Sequence, residues 1–299
     1  MTHLIRQIGC LTLVAPDPDA SAADLSDIVG LKVTGRTDRA VLMSCNERNV
    51  ELAYVSGKRP GVLAIGLETM DDKAFDEARR RVAAEGFPVL AEAPLWPGIA
   101  RAFRFKTPFG PVFELHTPAA RKLPARHVGT GSRPRRLEHV NLRVSDPPGF
   151  RDMLTGMLGM MISDRTTNDE IVWYRAWDGY HHTIAAGAAS TIGGLHHYAF
   201  DAYAFEDLVG VADTLVLKGR TMLWGPGRHG AGDNIFTYYA DPNGCIVETS
   251  VGMARIDNDA LYQPRTWGAP SDPKMRNLWG PPSPPEFGQY SIPYIETLD

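Results

Sequence analysis

Apolar and polar residues alternate from Leu137 to Val144, placing Val140, Leu142 and Val144 on one face of a strand and His139, Asn141 and Arg143 on the other. The segment Asp146-Pro147-Pro148-Gly149-Phe150 then opens a short helix. Strand-like runs follow near 160–165, 170–176 and 181–186. The pattern restarts with a strand at 194–200. Beyond it, Phe205, Leu208, Val209, Ala212, Leu215 and Val216 recur at helical spacing before Gly219. Strands are predicted again at 221–224, 234–240 and 245–250, the last entered through the turn Asp241-Pro242-Asn243-Gly244. One strand, one helix and three strands therefore occur twice in residues 137–253.

The first 120 residues carry the same order, with Phe75, Ala78 and Val82 marking their clearest helix. The basic, Pro- and Gly-bearing stretch before the second half is poorly patterned, which puts a linker at 121–136. After residue 253 comes a tail, 254–299, with eight prolines between 264 and 293. Disordered segments are usually poor in aromatics, so Trp267 and Trp279 argue that this tail packs on the body, with a lid as one role for it.

The two halves also align with each other about 130 residues apart. LEHVNLRVSDPP reads against IGCLTLVAPDPD, setting His139 opposite Cys10. GLHHYAFD reads against GVLAIGLE, setting His197 opposite Ala64, and PNGCIVETS reads against PFGPVFELH, matching Glu248 to Glu114. Only the C-terminal copy has two imidazoles and a carboxylate together. Any one of these residues alone fits a solvated polar strand face. Three separate strands, each sending a potential ligand off its apolar face, fit a metal site better. Two His and one carboxylate with open positions is the ligand set of a non-haem Fe(II) oxygenase. Strand alternation turns His196 away from His197, as a core or supporting histidine. The N-terminal copy lacks a usable set, leaving Glu114 as a remnant or a surface charge.

Bulk properties narrow the setting. A net charge of −4 argues against nucleic acid or anionic membrane as partners. No apolar run approaches 18 residues, and the first ten residues lack a signal-peptide core. Cys10, Cys45 and Cys245 form no C-x-x-C pair, so neither disulfides nor a zinc knuckle is indicated and a cytoplasmic, reducing location is expected.

The strings LEHVNL, HHTIAAG, GLHHYAF, WGPGRHG and YYADPNGCIVE, in this order and spacing, resemble the two-domain type I extradiol ring-cleaving (catechol 2,3-dioxygenase-like) enzymes of the vicinal oxygen chelate superfamily. The resemblance implies an α+β fold of two tandem domains, each of paired βαβββ modules forming a curved, barrel-like mixed sheet around a cleft. It implies Fe(II), with Mn(II) accepted by the same ligands, held by His139, His197 and Glu248. It implies His182 as the acid/base, with His181 the competitor, and His229 and Tyr238 as donors to substrate or dioxygen. Trp173 and Trp224 are candidates to line the ring pocket. Trp224 stands where relatives that cleave a carboxylated catechol have an arginine, which favours a neutral or apolar substituent. Arg276 resembles a tail arginine of those relatives that reaches the site. The expected reaction opens a catechol-type diol with O2 to a muconic semialdehyde-type product. The alternative is a redox-silent lyase or isomerase of the glyoxalase type. Relatives are commonly homo-oligomers.

Overall fold

The computed structural model describes residues 3–122, 132–189 and 193–298. The first half runs β1 (Ile5–Ala15), α1 (Pro18–Ile28), β2 (Lys32–Arg36), β3 (Ala40–Ser44), β4 (Leu52–Ser56), then β5 (Gly61–Thr69), α2 (Asp72–Ala84), β6 (Val89–Ala91), β7 (Ala102–Lys106) and β8 (Val112–His116). The second half repeats it as β9 (Pro134–Val144), α3 (Pro147–Asp152), β10 (Met161–Thr166), β11 (Ile171–Arg175), β12 (Ile184–Ala188), then β13 (Gly194–Ala202), α4 (Phe205–Leu217), β14 (Trp224–Arg228), β15 (Ile235–Ala240) and β16 (Ile246–Val251). Local chemistry sets the helix starts. Asp17, Asp71 and Asp146 each accept a backbone N–H of the first turn, and Asp207 reaches back to the N–H of Ala204.

The first sheet has the order β2-β3-β4-β1-β5-β8-β7-β6, and the second has the corresponding order, read from the other edge as β14-β15-β16-β13-β9-β12-β11-β10. In each, two long central strands pair antiparallel and each takes a parallel neighbour from the end of its own module. This is the α+β arrangement of paired βαβββ modules. The helices of both halves and the outer faces of both sheets share one apolar core, in which Leu11, Leu13 and Leu67 join Leu142, Tyr198 and Phe200. Tyr54 and Tyr198 meet there through their hydroxyls at 3.1 Å.

The two concave faces differ. In the first sheet Trp96 packs with Cys10, Leu42, Val55 and Leu63 and donates its indole N–H to Thr12 at 2.9 Å. Apolar packing fills that cleft. Glu114 is not a surface charge, and among the described residues no second ligand set adjoins it: it is fully buried and accepts the Leu95 N–H at 3.1 Å. Desolvation raises its carboxyl to about 7.

The tail crosses the second sheet. β17 (Arg265–Trp267) adds to the β10 edge, α5 (Pro273–Arg276) follows, and β18 (Ile292–Pro293) pairs with β13. Three expectations shift. Pro134–Arg136 belong to β9 rather than to a linker, most of which lies outside the described residues. β12 begins at Ile184, so His181 and His182 sit in the approach to the strand, and β14 begins at Trp224. Among the described residues, no helix is long and apolar enough to cross a membrane.

Candidate metal centre

One row of paired residues runs across the concave face of the second sheet: Trp224 to Tyr238, Tyr238 to Glu248, Glu248 to Ala199, and Ala199 to His139. Directly paired residues face the same side of a sheet. Ala199 is the smallest side chain in this row, and it leaves a gap across which His139 and Glu248 meet. His197 lies two residues along β13 from Ala199, on the same face. His139 Nε2 stands 3.2 Å and His197 Nε2 3.3 Å from Glu248 Oε2. The three ligand atoms lie within 4.8 Å of one another, and all three residues are buried.

These side chains fit a divalent ion. Among the described residues, none donates a well-aligned hydrogen bond to Glu248 Oε2, whereas Oε1 accepts from Asn234 at 3.0 Å. An orphaned buried carboxylate oxygen between two ring nitrogens is costly unless a cation occupies the gap. Ligands at about 2.1 Å from one ion and at right angles are about 3 Å apart, close to the spacings seen. Burial alone lowers the His139 imidazole, but Glu248 and Glu138 outweigh it and raise it to about 9. Burial raises Glu248, and His139 outweighs that and keeps the carboxyl below its ordinary range. A bound cation would replace the proton that this pair otherwise shares.

Two β-bulges set the ligand orientation. Ala199 pairs with His139 but Phe200 with Leu137, so Glu138 is an extra residue in β9. Leu195 pairs with Leu142 but His197 with Asn141, so His196 is an extra residue in β13. Strict alternation predicts that His196 faces away from the site; the bulge overrides it and brings His196 to the cavity wall. His196 Nε2 donates to the Phe287 carbonyl at 2.8 Å, so its Nδ1 accepts from His197 Nδ1 at 2.7 Å. That leaves the His197 Nε2 lone pair directed at the gap. Glu138 Oε2 faces His139 Nδ1 at 3.2 Å and does the same for the other imidazole. Burial, together with the neighbouring His196, holds His197 well below the ordinary range, in its ligating neutral form.

The remaining candidates surround this gap in one cavity, which His182, His229, Tyr238, Trp173, Trp224 and Arg276 all line. His182 sits over His139 with ring centroids 4.3 Å apart. Its neighbour His181 turns outward instead, with Nε2 3.3 Å from Asp164 Oδ2 and Nδ1 3.1 Å from His182 Nδ1. The Asp164 carboxylate favours the proton on His181 Nε2, which leaves His181 Nδ1 to accept the His182 Nδ1–H and the His182 Nε2 lone pair free. Burial and the surrounding imidazoles keep His182 well below its ordinary range, hence neutral. His229 donates Nδ1–H to the Arg276 carbonyl at 2.5 Å, and its Nε2 accepts from the Tyr238 hydroxyl at 2.9 Å. Trp224 stacks on Tyr238 at 5.6 Å and 10°. Phe287 and Met275, both from the tail, close the wall. Neither carries a signal in a Pro-rich segment of no clear period. Asp164 was equally unmarked, whereas Arg143 shares the exposed parity of His139 and Asn141 and was open to notice.

Residues 7–115 and 136–249 match the family described as Glyoxalase/Bleomycin resistance protein/Dioxygenase superfamily. The chain is 28% identical to a protein named metapyrocatechase 2 from Cupriavidus necator, over 95% of this chain and 92% of that one. It is 26% identical to a manganese-dependent 2,3-dihydroxybiphenyl 1,2-dioxygenase from Geobacillus genomosp. 3, over 89% of this chain and 91% of that one. Among solved structures, the Mn(II)-bound glyoxalase from Novosphingobium aromaticivorans superposes with a TM-score of 0.86 at 25% identity, covering 99% of this chain and 97% of that one. With matched segments spanning both halves of the fold, the chain belongs to the glyoxalase/bleomycin resistance protein/dioxygenase superfamily.

Proposed function

We propose that the protein is an Fe(II)-dependent extradiol dioxygenase that opens a catechol-type diol with O2, both oxygen atoms entering a muconic semialdehyde-type product. The observation that carries this reading is the meeting of His139, His197 and the unpartnered Glu248 oxygen at the floor of a cavity that also holds His182, His229 and Tyr238. The names of the relatives from Cupriavidus and Geobacillus support the same reaction class.

A divalent iron bound there would supply Lewis acidity and the redox coupling between diol and dioxygen. The rest falls to the chain. His182, neutral and with Nε2 free, takes a proton from a diol hydroxyl and returns it when the O–O bond breaks. Tyr238 and His229 form a hydrogen-bonded pair beside Glu248, and the Tyr238 hydroxyl can turn from His229 Nε2 to an oxygen at the floor when substrate enters. Trp173, Trp224, Met275 and Phe287 exclude water and give the aromatic ring an apolar slot.

Anaerobic reconstitution with Fe(II), followed by substituted catechols in air, tests the reading through O2 consumption and the yellow product. Turnover without O2 uptake would instead support a non-redox lyase or isomerase, the reading favoured by the likeness to the Novosphingobium glyoxalase. Manganese in both that structure and the Geobacillus relative makes Mn(II) the second metal to test.

A further inference from the structure

Arg143 reaches the cavity, and among the described residues no side chain hydrogen-bonds its guanidinium. It follows His139 and Asn141 on the same face of β9, and its paired residues on both flanking strands are glycines, Gly187 on β12 and Gly194 on β13. A methyl group at position 187 would stand 3.0 Å from Arg143 Nη1. The glycine is what lets the guanidinium lie across β12 toward Ile171. Among the described residues, no carboxylate pairs with Arg143, although most other arginines of the chain have one: Arg48 pairs with Glu51, Arg135 with Asp201 and Arg175 with Asp259.

Arg276 lines the same cavity, and among the described residues it too has no carboxylate, only the carbonyl of Pro270 and the Ser283 hydroxyl at 3.5 Å. Asn141 stands between Arg143 and the metal ligands along β9, and its Oδ1 is buried with no partner. Burial, with Arg276 as a second positive charge, lowers Arg143 to about 10. Two cations sharing a partly desolvated pocket repel each other, and an anion between them removes that cost. The wall beyond the candidate ligands is therefore cationic, which points the opposite way from Trp224 on the substituent's charge.

We propose that Arg143, with Arg276, forms an anion subsite that holds a carboxylate on the substrate, so that the diol taken by this enzyme carries an acidic side chain. The proposal rests on the dioxygenase reading for the diol but not for the subsite itself. An arginine fork binds a carboxylate through two parallel N–H···O bonds, which fixes the ring's in-plane orientation as well as its charge.

Two measurements test it. In the metal-loaded enzyme, kcat/KM for 3,4-dihydroxyphenylacetate should exceed that for its methyl ester by at least tenfold. Arg143→Gln should lower this acid-to-ester ratio at least tenfold, mainly through KM, and Arg143→Lys should restore part of it. Separately, tryptophan fluorescence of the metal-free protein should report saturable binding of phenylacetate, a non-diol, but not of phenylacetamide, and Arg143→Gln should abolish it. Equal ratios for acid and ester in the native chain, or equal losses on both in Arg143→Gln, would overturn the subsite while ester cleavage left the dioxygenase reading standing. Phenylacetate binding without cleavage of any diol would do the reverse. A misfolded Arg143→Gln is recognised by circular dichroism, and the acid-to-ester ratio of the native chain then decides the matter.

Discussion

His196 Nδ1 lies 2.7 Å from His197 Nδ1, closer than strand alternation allows for consecutive side chains, because His196 is the extra residue of a bulge. The Phe287 carbonyl fixes the His196 tautomer, and His196 in turn fixes that of His197. His196→Phe should weaken Fe(II) or Mn(II) binding about 10–100-fold, the usual cost of losing such a supporting partner. His196→Gln, which can still accept from Nδ1, should recover part of the loss. A metal titration followed by competition with a chelator checks both. Unchanged affinity in His196→Phe would show that the bulge geometry alone orients the ligand.

The chain Asp164–His181–His182 leads to a different expectation. Asp164→Asn leaves His139, His197 and Glu248 untouched but removes the negative charge that faces His181 Nε2, so kcat should fall about 10-fold or more with metal content preserved. His182→Ala should retain metal and lose about 10²–10⁴-fold in turnover, the range for a general acid/base. His139→Ala should lose the metal itself. Metal analysis beside steady-state kinetics separates the three outcomes.

Glu114 links stability to pH. Its carboxyl is raised from 4.5 to about 7 by desolvation, so the folded chain binds that proton more tightly than the unfolded chain does. Ionising it costs stability progressively from about pH 4.5, and the cost is complete above about pH 7. At 1.36 kcal/mol per unit, Glu114→Gln should be more stable than the native chain by up to about 3 kcal/mol at pH 8. The difference should vanish near pH 4. Urea unfolding at both pH values measures it, and a gap independent of pH would remove the carboxyl as its source.

Gly232 has φ of +94°, and a methyl group there would stand 3.2 Å from His182 Cε1 and 3.1 Å from Asn234 Oδ1. Gly232→Ala should therefore cost about 1–3 kcal/mol of stability. It should also lower kcat more than the unfolding midpoint implies, since the displaced groups are the proposed acid/base, His182, and the Asn234 amide that donates to Glu248. Thermal denaturation beside kinetics at a temperature where the variant stays folded checks it.

Residue periodicity alone carried the strand–helix–strand grammar. A buried strand face must be apolar at every second position, and the helices bury every third or fourth residue, as Phe75, Ala78 and Val82 do. The internal repeat likewise exposed His139, His197 and Glu248, because equivalent positions of a duplicated sheet point into equivalent clefts. Register was beyond its reach. A single inserted residue at Glu138 or His196 reverses which side chains face inward, and nothing in composition marks the insertion. Long-range packing was equally hidden: Trp96 fills the first cleft, while Phe287 and Met275 come from the far end of the chain to wall the second. Whether His181 or His182 entered the cavity turned on Asp164, which sits on another strand and draws one of the two imidazoles away. Those choices depend on contacts between segments distant in sequence, and they exist only once the sheets have closed around their cores.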